Sequence, residues 1–340
     1  MSERVLAGAE KRVEGWPPLA PKTLAEGLSA PVRQRLRALE ERLSLSLQGK
    51  PEVVQCALIT LLARGHLLIE DVPGVGKTTL GLALAGALGC SFARVQFTSD
   101  LLPADIVGSS LFDQRHACFE FRPGPVFHHI VLADELNRTT PKTQSCLLEA
   151  MSEGRVSVDG ITHVLPEPFM VIATQNPIEH HGTYPLPESQ LDRFMMRLRV
   201  GYPERDAERL ILRGVQRLSP GTIPPLLSPD EVTALQNLVP QVTCSPLVED
   251  YLLAIVRQTR EQSRLALGVS PRGAQQLFRA SQARALLEGR SFVTPDDVKR
   301  LAIQVLSHRL IPVELVGLSV PAEESTRIMR ELLERVPVPV

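Results

Sequence analysis

The chain has 340 residues, more than one typical core, so two domains are expected. An apolar share of 44% with 22% charged residues is the balance of an ordinary soluble globular protein. A net charge of −1 removes any global pull toward nucleic acid or a membrane surface, and 4% aromatic residues argue against a surface built to stack bases.

Residues 1–30 are rich in Pro, Ala and Gly and read as a loose leader, with Trp16 as an anchor onto the body in preference to a partner contact. The opening Met1-Ser2-Glu3-Arg4-Val5 does not read as a signal peptide. The longest apolar stretches, near 56–63 and 82–93, are too short to cross a bilayer, so no membrane insertion is expected. Cys56, Cys90, Cys118, Cys146 and Cys244 show no C-x-x-C spacing, which points to free thiols in a reducing cytoplasm.

Helices are expected at about 32–47 and 51–63, and a strand at 67–69. That strand runs into Glu70-Asp71-Val72-Pro73-Gly74-Val75-Gly76-Lys77-Thr78-Thr79, a phosphate-binding loop that opens a helix at 77–88. Gly74 and Gly76 let the backbone turn tightly so that its N–H groups face an anion. Lys77 adds positive charge over the outer phosphates, and Thr78 offers a hydroxyl to Mg²⁺. Asp71 stands where such loops usually open with Gly, so its carboxylate must point away from the phosphates.

Further strands are expected near 93–97, 130–133, 169–174 and 195–200, with a helix at 141–151 between two of them. Strands alternating with helices predict an α/β layer around a mostly parallel sheet. Two inserts break the alternation. Phe119-Glu120-Phe121-Arg122 resembles part of a hairpin, and residues 155–164 alternate around Asp159-Gly160, the strongest short hairpin signal.

The strand Ile130-Val131-Leu132-Ala133 ends in Asp134-Glu135. Asp134 is placed to hold a nucleotide's Mg²⁺, and Glu135 to orient and polarise the attacking water. The apolar strand at 169–174 ends in a polar tip at Asn176. An amide there can bond the γ-phosphate and the water, while Asn176-Pro177 equally suits a turn. Arg193, ahead of the last strand, can reach a neighbouring subunit's γ-phosphate, and Arg272, at a helix start, is a second candidate. A lone surface Arg is usually just solvated, so neither stands without further context. His128-His129 and His180-His181 lack partners at ligand spacing and read as structural or surface histidines. The arginines from Arg205 to Arg217 alternate with Asp206 and Glu208 and read as a solvated helix face.

Residues 219–229 read as a linker. Beyond it the chain reads as helical: Ser228-Pro229-Asp230-Glu231 is a capping box, and Ser270-Pro271 and Thr294-Pro295-Asp296-Asp297 mark further helix starts. The expected organisation is a leader at 1–30, an α/β core at 31–218, the linker at 219–229 and a smaller all-α domain at 230–340.

Together these residues resemble the MoxR family of AAA+ ATPases, from about Leu45 to the C-terminus. Residues 70–78 look like the family's Walker A loop, and 134–138 like Walker B with its family tail. Residues 173–177 are similar to sensor 1, 187–194 to the segment with the arginine finger, and 270–272 to sensor 2 in the lid. Residues 111–127 resemble the helix-2 insert, and the hairpin at 155–168 the pre-sensor-1 insert that faces the pore or substrate in related rings. Gly49-Lys50 sits where the family has Gly-Gln near the adenine. The resemblance implies ATP and Mg²⁺ as cofactors and a homo-oligomer, roughly a hexameric ring with nucleotide between subunits. In such a ring Arg193 would serve the neighbour's site, and Arg272 would report nucleotide state to the lid. It also implies a chaperone-like role on protein partners, often von Willebrand factor A domain proteins and sometimes in metal insertion.

Three other functions compete. A DNA motor would need a basic pore hairpin, and 155–164 offers only Arg155 and His163 against Asp159. A chelatase-type motor subunit shares the same core. A non-enzymatic nucleotide switch is disfavoured by the intact Asp134-Glu135 pair.

Overall fold

The computed structural model describes residues 28–72, 74–176, 183–213, 225–315 and 322–339. The leader before Leu28, Trp16, Pro73, Pro177, the His180-His181 pair and most of the linker lie outside the described residues.

Two helices, α1 (Ala30–Ser46) and α2 (Pro51–Leu62), precede β1 (Leu67–Glu70) and α3 (Lys77–Ala87). Next come β2 (Phe92–Gln96), α4 (Pro103–Val107) and a hairpin of β3 (Gly108–Asp113) with β4 (Cys118–Pro123). β5 (Ile130–Asp134) and α5 (Pro141–Glu153) lead to a second hairpin, β6 (Arg155–Val158) with β7 (Ile161–Val164), and then to β8 (Met170–Gln175). A short α6 (Glu188–Leu191), β9 (Met196–Leu198) and α7 (Arg205–Leu212) follow.

The central sheet has five strands in the order β2-β5-β8-β1-β9, and every neighbouring pair is parallel. Parallel strands need helical crossovers, so both faces of the sheet are covered. Alternation along each strand sends side chains to the two faces in turn. Leu67, Ile69, Ile130, Leu132, Met170 and Ile172 join one apolar cluster, with α1, α2 and α3. Leu68, Val131, Ala133, Val171 and Ala173 join the other, with α5. The register levels the strand ends: Gln96 lies beside Asp134, and Glu70 beside Gln175. The polar tips of four strands therefore meet along one edge.

Both inserts form hairpins. Asp159 and Gly160 turn with φ of 51° and 79°, the positive pair that a tight two-residue hairpin requires. The first hairpin begins at Gly108, three residues before the expected insert, because Ser109-Ser110-Leu111-Phe112 lacks the alternation that marks a strand. Phe121 stacks on His163 at 4.0 Å between ring centroids, which ties the two hairpins together.

Beyond the linker lie α8 (Pro229–Leu238), α9 (Pro246–Glu261), α10 (Pro271–Leu287), α11 (Pro295–Leu306) and α12 (Ala322–Arg335). The Ser228–Glu231 capping box forms in both directions. A short antiparallel pair, β10 (Leu265–Leu267) with β11 (Ile311–Pro312), adds to the all-helical expectation; three and two residues lie below the length at which alternation shows. The described end of the linker is fastened to the core: Leu226 N donates to Ala87 O at 2.8 Å. Buried Arg35 of α1 donates to Leu226 O and, in a fork, to Glu231. Apolar packing continues from α1 and α2 into α8, α9 and α10.

Candidate nucleotide site

The loop between β1 and α3 is an anion cradle. Gly76 has φ 100°, a conformation that requires glycine, and a Cβ there would also meet the tip of the Leu47 side chain at 2.9 Å. Gly74 has φ 87° with open space on its side-chain face. Val75, between them, packs partly against the apolar cluster. The first bond of α3 runs from Leu80 N to Gly76 O at 3.0 Å. The amides of Lys77, Thr78 and Thr79 thus lie at an uncapped helix start, where the helix dipole favours an anion.

Lys77 Nζ donates to Asp71 O at 2.7 Å. Half-burial pulls the Lys77 ammonium below its ordinary range, opposed by Asp134, Asp71 and Glu135. Asp71 is turned away from the cradle. Its carboxylate accepts the N–H groups of Val72 and Gly201, and the residue is buried. The non-Gly opening of the loop is thus a tether to the segment after β9.

Asp134 and Glu135 follow β5 on the same edge. Thr174 Oγ1 donates to Asp134 Oδ1 at 2.6 Å and accepts Glu135 N–H at 2.9 Å. Glu135 has φ 58°, a left-handed conformation uncommon outside glycine. Two β2 side chains meet the same carboxylates: Arg94 reaches Asp134 Oδ2 at 2.6 Å, and Gln96 Nε2 donates to Glu135 Oε2 at 2.7 Å. Arg138 pairs with Glu135 at 3.2 Å. Asn176 is buried at the tip of β8 on this edge. Thr174, Arg94 and Gln96 escaped the sequence reading. The available signals were a hydroxyl inside the apolar run 169–174 and polar residues at alternate positions of a short strand.

The donor set suits Mg²⁺. Thr78 and Asp134 are hard oxygen ligands of the kind Mg²⁺ takes alongside substrate phosphates. The Arg94 guanidinium on Asp134 Oδ2 is a cation in the place such an ion would neutralise. Gly49 lies nearby, before α2, with φ 77°, and a Cβ there would stand 3.2 Å from Ala207 Cβ. Lys50 Nζ donates to Tyr202 O at 2.8 Å, holding the loop after β9 against α2.

Arg193 and Arg272 lie elsewhere. Both line a cleft of about 810 Å³ with Arg64, His66, Ser152 and Arg279. Residues 64–66 precede β1, so this cleft sits at the opposite edge of the sheet from the phosphate loop. β1 alone separates the two edges by roughly 10 Å. Arg193 Nη1 donates to Leu148 O and Ser152 Oγ, each at 2.6 Å. His66 is buried: Val171 N–H donates to Nδ1 at 3.0 Å, which leaves Nε2 to donate to Met151 O. Burial pulls its pKa down to about 4, opposed by the hydrogen bond to Met151 and aided by the Arg272 charge. Of the four residues expected to take part in the chemistry, the fold gathers Glu135 and Asn176 at one edge, and Arg193 and Arg272 at the other.

His128 and His129 have protein partners: His128 Nδ1 contacts Pro125 O, and His129 Nδ1 accepts from Ser91 N–H. The five cysteines are free thiols. Among the described residues no helix is long and apolar enough to cross a membrane.

Residues 66–196 match the family model of the ATPase family associated with various cellular activities (AAA), and residues 257–332 match the AAA lid domain. The chain is 46% identical over 304 residues to the Bacillus subtilis protein YeaC, covering 88% of this chain and 93% of that one. It is 40% identical over 305 residues to Chaperone MoxR1 of Mycobacterium tuberculosis, covering 86% and 79%. A crystal structure from Cytophaga hutchinsonii, described as a candidate ATPase, superposes with a TM-score of 0.81 at 34% identity, over 91% of this chain and 96% of the other. With a glycine cradle, a strand-end carboxylate pair and a helical lid on one parallel sheet, this chain belongs to the MoxR family of AAA+ ATPases.

Proposed function

We propose that the protein hydrolyses ATP with Mg²⁺ at sites shared between adjacent copies in a closed ring, roughly a hexamer, and uses the cycle to remodel a protein partner. The observation that supports this most directly is the split site. Lys77, Asp134 and Glu135 stand at one edge of the sheet, while Arg193 and Arg272 line a cleft at the other. One copy cannot bring both halves to the same phosphate; a head-to-tail contact between copies can, and such contacts close into rings.

In this reading the backbone from Pro73 through Thr79 cradles the phosphates, with Gly49 on the adenine side. Pro73 itself lies outside the described residues. Lys77 neutralises the outer phosphates. Thr78 and Asp134 hold Mg²⁺, which when bound draws charge from the γ-phosphate oxygens. Glu135 orients and polarises the water, and Asn176 positions it against the phosphate. Arg193 and Arg272, from the neighbouring copy, stabilise charge in the transition state. Arg272 shares the cleft with Arg193, so its report to the lid would concern the neighbour's nucleotide.

The division into a core at 31–218, a linker at 219–229 and a lid at 230–340 belongs to the same proposal. The lid is fastened to α1 through the Arg35–Glu231 fork. The relative named as a chaperone supports action on a protein client; a von Willebrand factor A domain protein as that client, and the cytoplasm as the compartment, are carried into this proposal from the family resemblance alone. The paired hairpins offer a surface for it, with Phe112, Phe119, Ile161 and Val164 exposed.

Glu135→Gln tests the assignment. ATP turnover should vanish while nucleotide affinity and assembly persist. Mixing Glu135→Gln with Arg193→Ala chains should restore part of the turnover, because a wild-type Glu135 can then face a wild-type Arg193. Turnover retained in Glu135→Gln alone would remove Glu135 from the chemistry, and no recovery on mixing would remove the shared site.

A further inference from the structure

Arg309, between α11 and β11 in the lid, is buried with 5% of its surface exposed. Its guanidinium is spread over the segment that carries Arg193. Nε donates to Asp192 Oδ1 at 2.8 Å, and Nη2 donates to Phe194 O at 2.7 Å and to Asp192 O at 3.2 Å. Nη1 donates to Val305 O, one turn back along its own chain. Nη2 also meets Gln276 Oε1, four residues after Arg272 on α10. The adjacent His308 ring contacts Phe194 O at 3.1 Å. Burial lowers the Arg309 pKa to about 10, so the group stays charged at neutral pH.

The peptide oxygens on either side of Arg193 and the carboxylate before it thus share one lid guanidinium, and the same group holds the helix that carries Arg272. Phe194 is fully buried, which fixes the backbone here, and the Arg193 side chain must exchange its bonds to Leu148 O and Ser152 Oγ to reach a neighbour's phosphate. We propose that Arg309 is a positioning residue: its fork on Asp192 and Phe194 sets where Arg193 points and makes its reach follow the lid. The inference rests on the reading of Arg193 as a group acting on the neighbour's nucleotide. A guanidinium presents its donors in a rigid plane, which a lysine ammonium cannot reproduce at the same sites.

The test compares wild type, Arg309→Lys, Arg193→Ala and the double variant by steady-state ATPase kinetics, with binding of a fluorescent ATP analogue measured on the same full-length chains. Arg309→Lys should lower kcat by about tenfold or more while KM and analogue affinity stay within about twofold, since the chain's own phosphate loop is untouched. The double variant should match Arg193→Ala within about twofold, because both changes remove one function. A purely structural role would weaken nucleotide binding as well, or add its loss to that of Arg193→Ala; either result overturns the proposal. If Arg309→Lys does not fold, Asp192→Asn and Gln276→Ala face the same criteria from the other side of the clamp. Arg193→Ala at wild-type kcat defeats the reading beneath the proposal. A slow Arg193→Ala beside a full-speed Arg309→Lys defeats the proposal alone.

Discussion

Thr174 donates its hydroxyl proton to Asp134 at 2.6 Å and takes the Glu135 N–H on the same oxygen, so one buried atom fixes both strand-end carboxylates. Glu135 meanwhile holds a φ of 58°, a conformation that costs on the order of 1–3 kcal/mol and persists only where its surroundings enforce it. Thr174→Val keeps the shape and deletes both bonds. We expect kcat for ATP to fall about 10- to 100-fold, with nucleotide affinity within about threefold. Wild-type kcat in the valine variant would show that the carboxylates hold themselves.

Asp71 opens the phosphate loop, yet its carboxylate faces Gly201 and Val72. Asp71→Ala leaves those N–H groups without their acceptor, so the folded state should lose about 1–3 kcal/mol in urea unfolding. ATP affinity, measured under conditions where the variant is folded, should change by less than about tenfold, or 1.4 kcal/mol. A larger affinity change with unaltered stability would mean that the side chain faces the phosphates.

Arg94 covers Asp134 Oδ2, the oxygen an Mg²⁺ ion would neutralise. About half of the Arg94 side chain is exposed, so the pair is worth about 0.2–1 kcal/mol. Arg94→Gln should lower the Mg²⁺ concentration at half-saturation of nucleotide binding by about two- to fivefold. An increase would mean that Arg94 assists the bound complex instead of competing with the ion.

His66 sets a pH dependence. Its folded pKa of about 4 lies below the ordinary 6.5, so between those values the unfolded chain binds more protons. The contribution is complete above about 6.5 and is lost as pH falls toward 4, up to about 3 kcal/mol. His308, also buried and held neutral, adds loss in the same direction. Urea melts at pH 7.5 and 5.0 should show a smaller difference for His66→Gln than for wild type. Equal differences would exclude His66 as a source.

The sheet strands, the glycine loop, the Asp159-Gly160 hairpin and the capped helix starts were legible because each depends on neighbours in sequence. Alternation has a period of two, a tight turn demands positive φ, and a cap spans one helical turn. The first strand of the other insert and the β10–β11 pair were not, being too short or too irregular to carry a period.

What the amino-acid sequence alone determined is the chemistry at one edge: a phosphate cradle and two carboxylates, each set by a contiguous stretch. Tertiary structure decided what surrounds them. Arg94 reaches Asp134 across 40 residues, His66 joins Met151 across 85, and Arg309 joins Asp192 across 117. Those partners follow from the strand order β2-β5-β8-β1-β9 and from lid packing, which no local pattern encodes. The same order places Arg193 at the far end of the strands, and lid packing brings Arg272 to the same cleft. A parallel sheet has two chemically different edges, and only the assembled fold shows which residue stands at which.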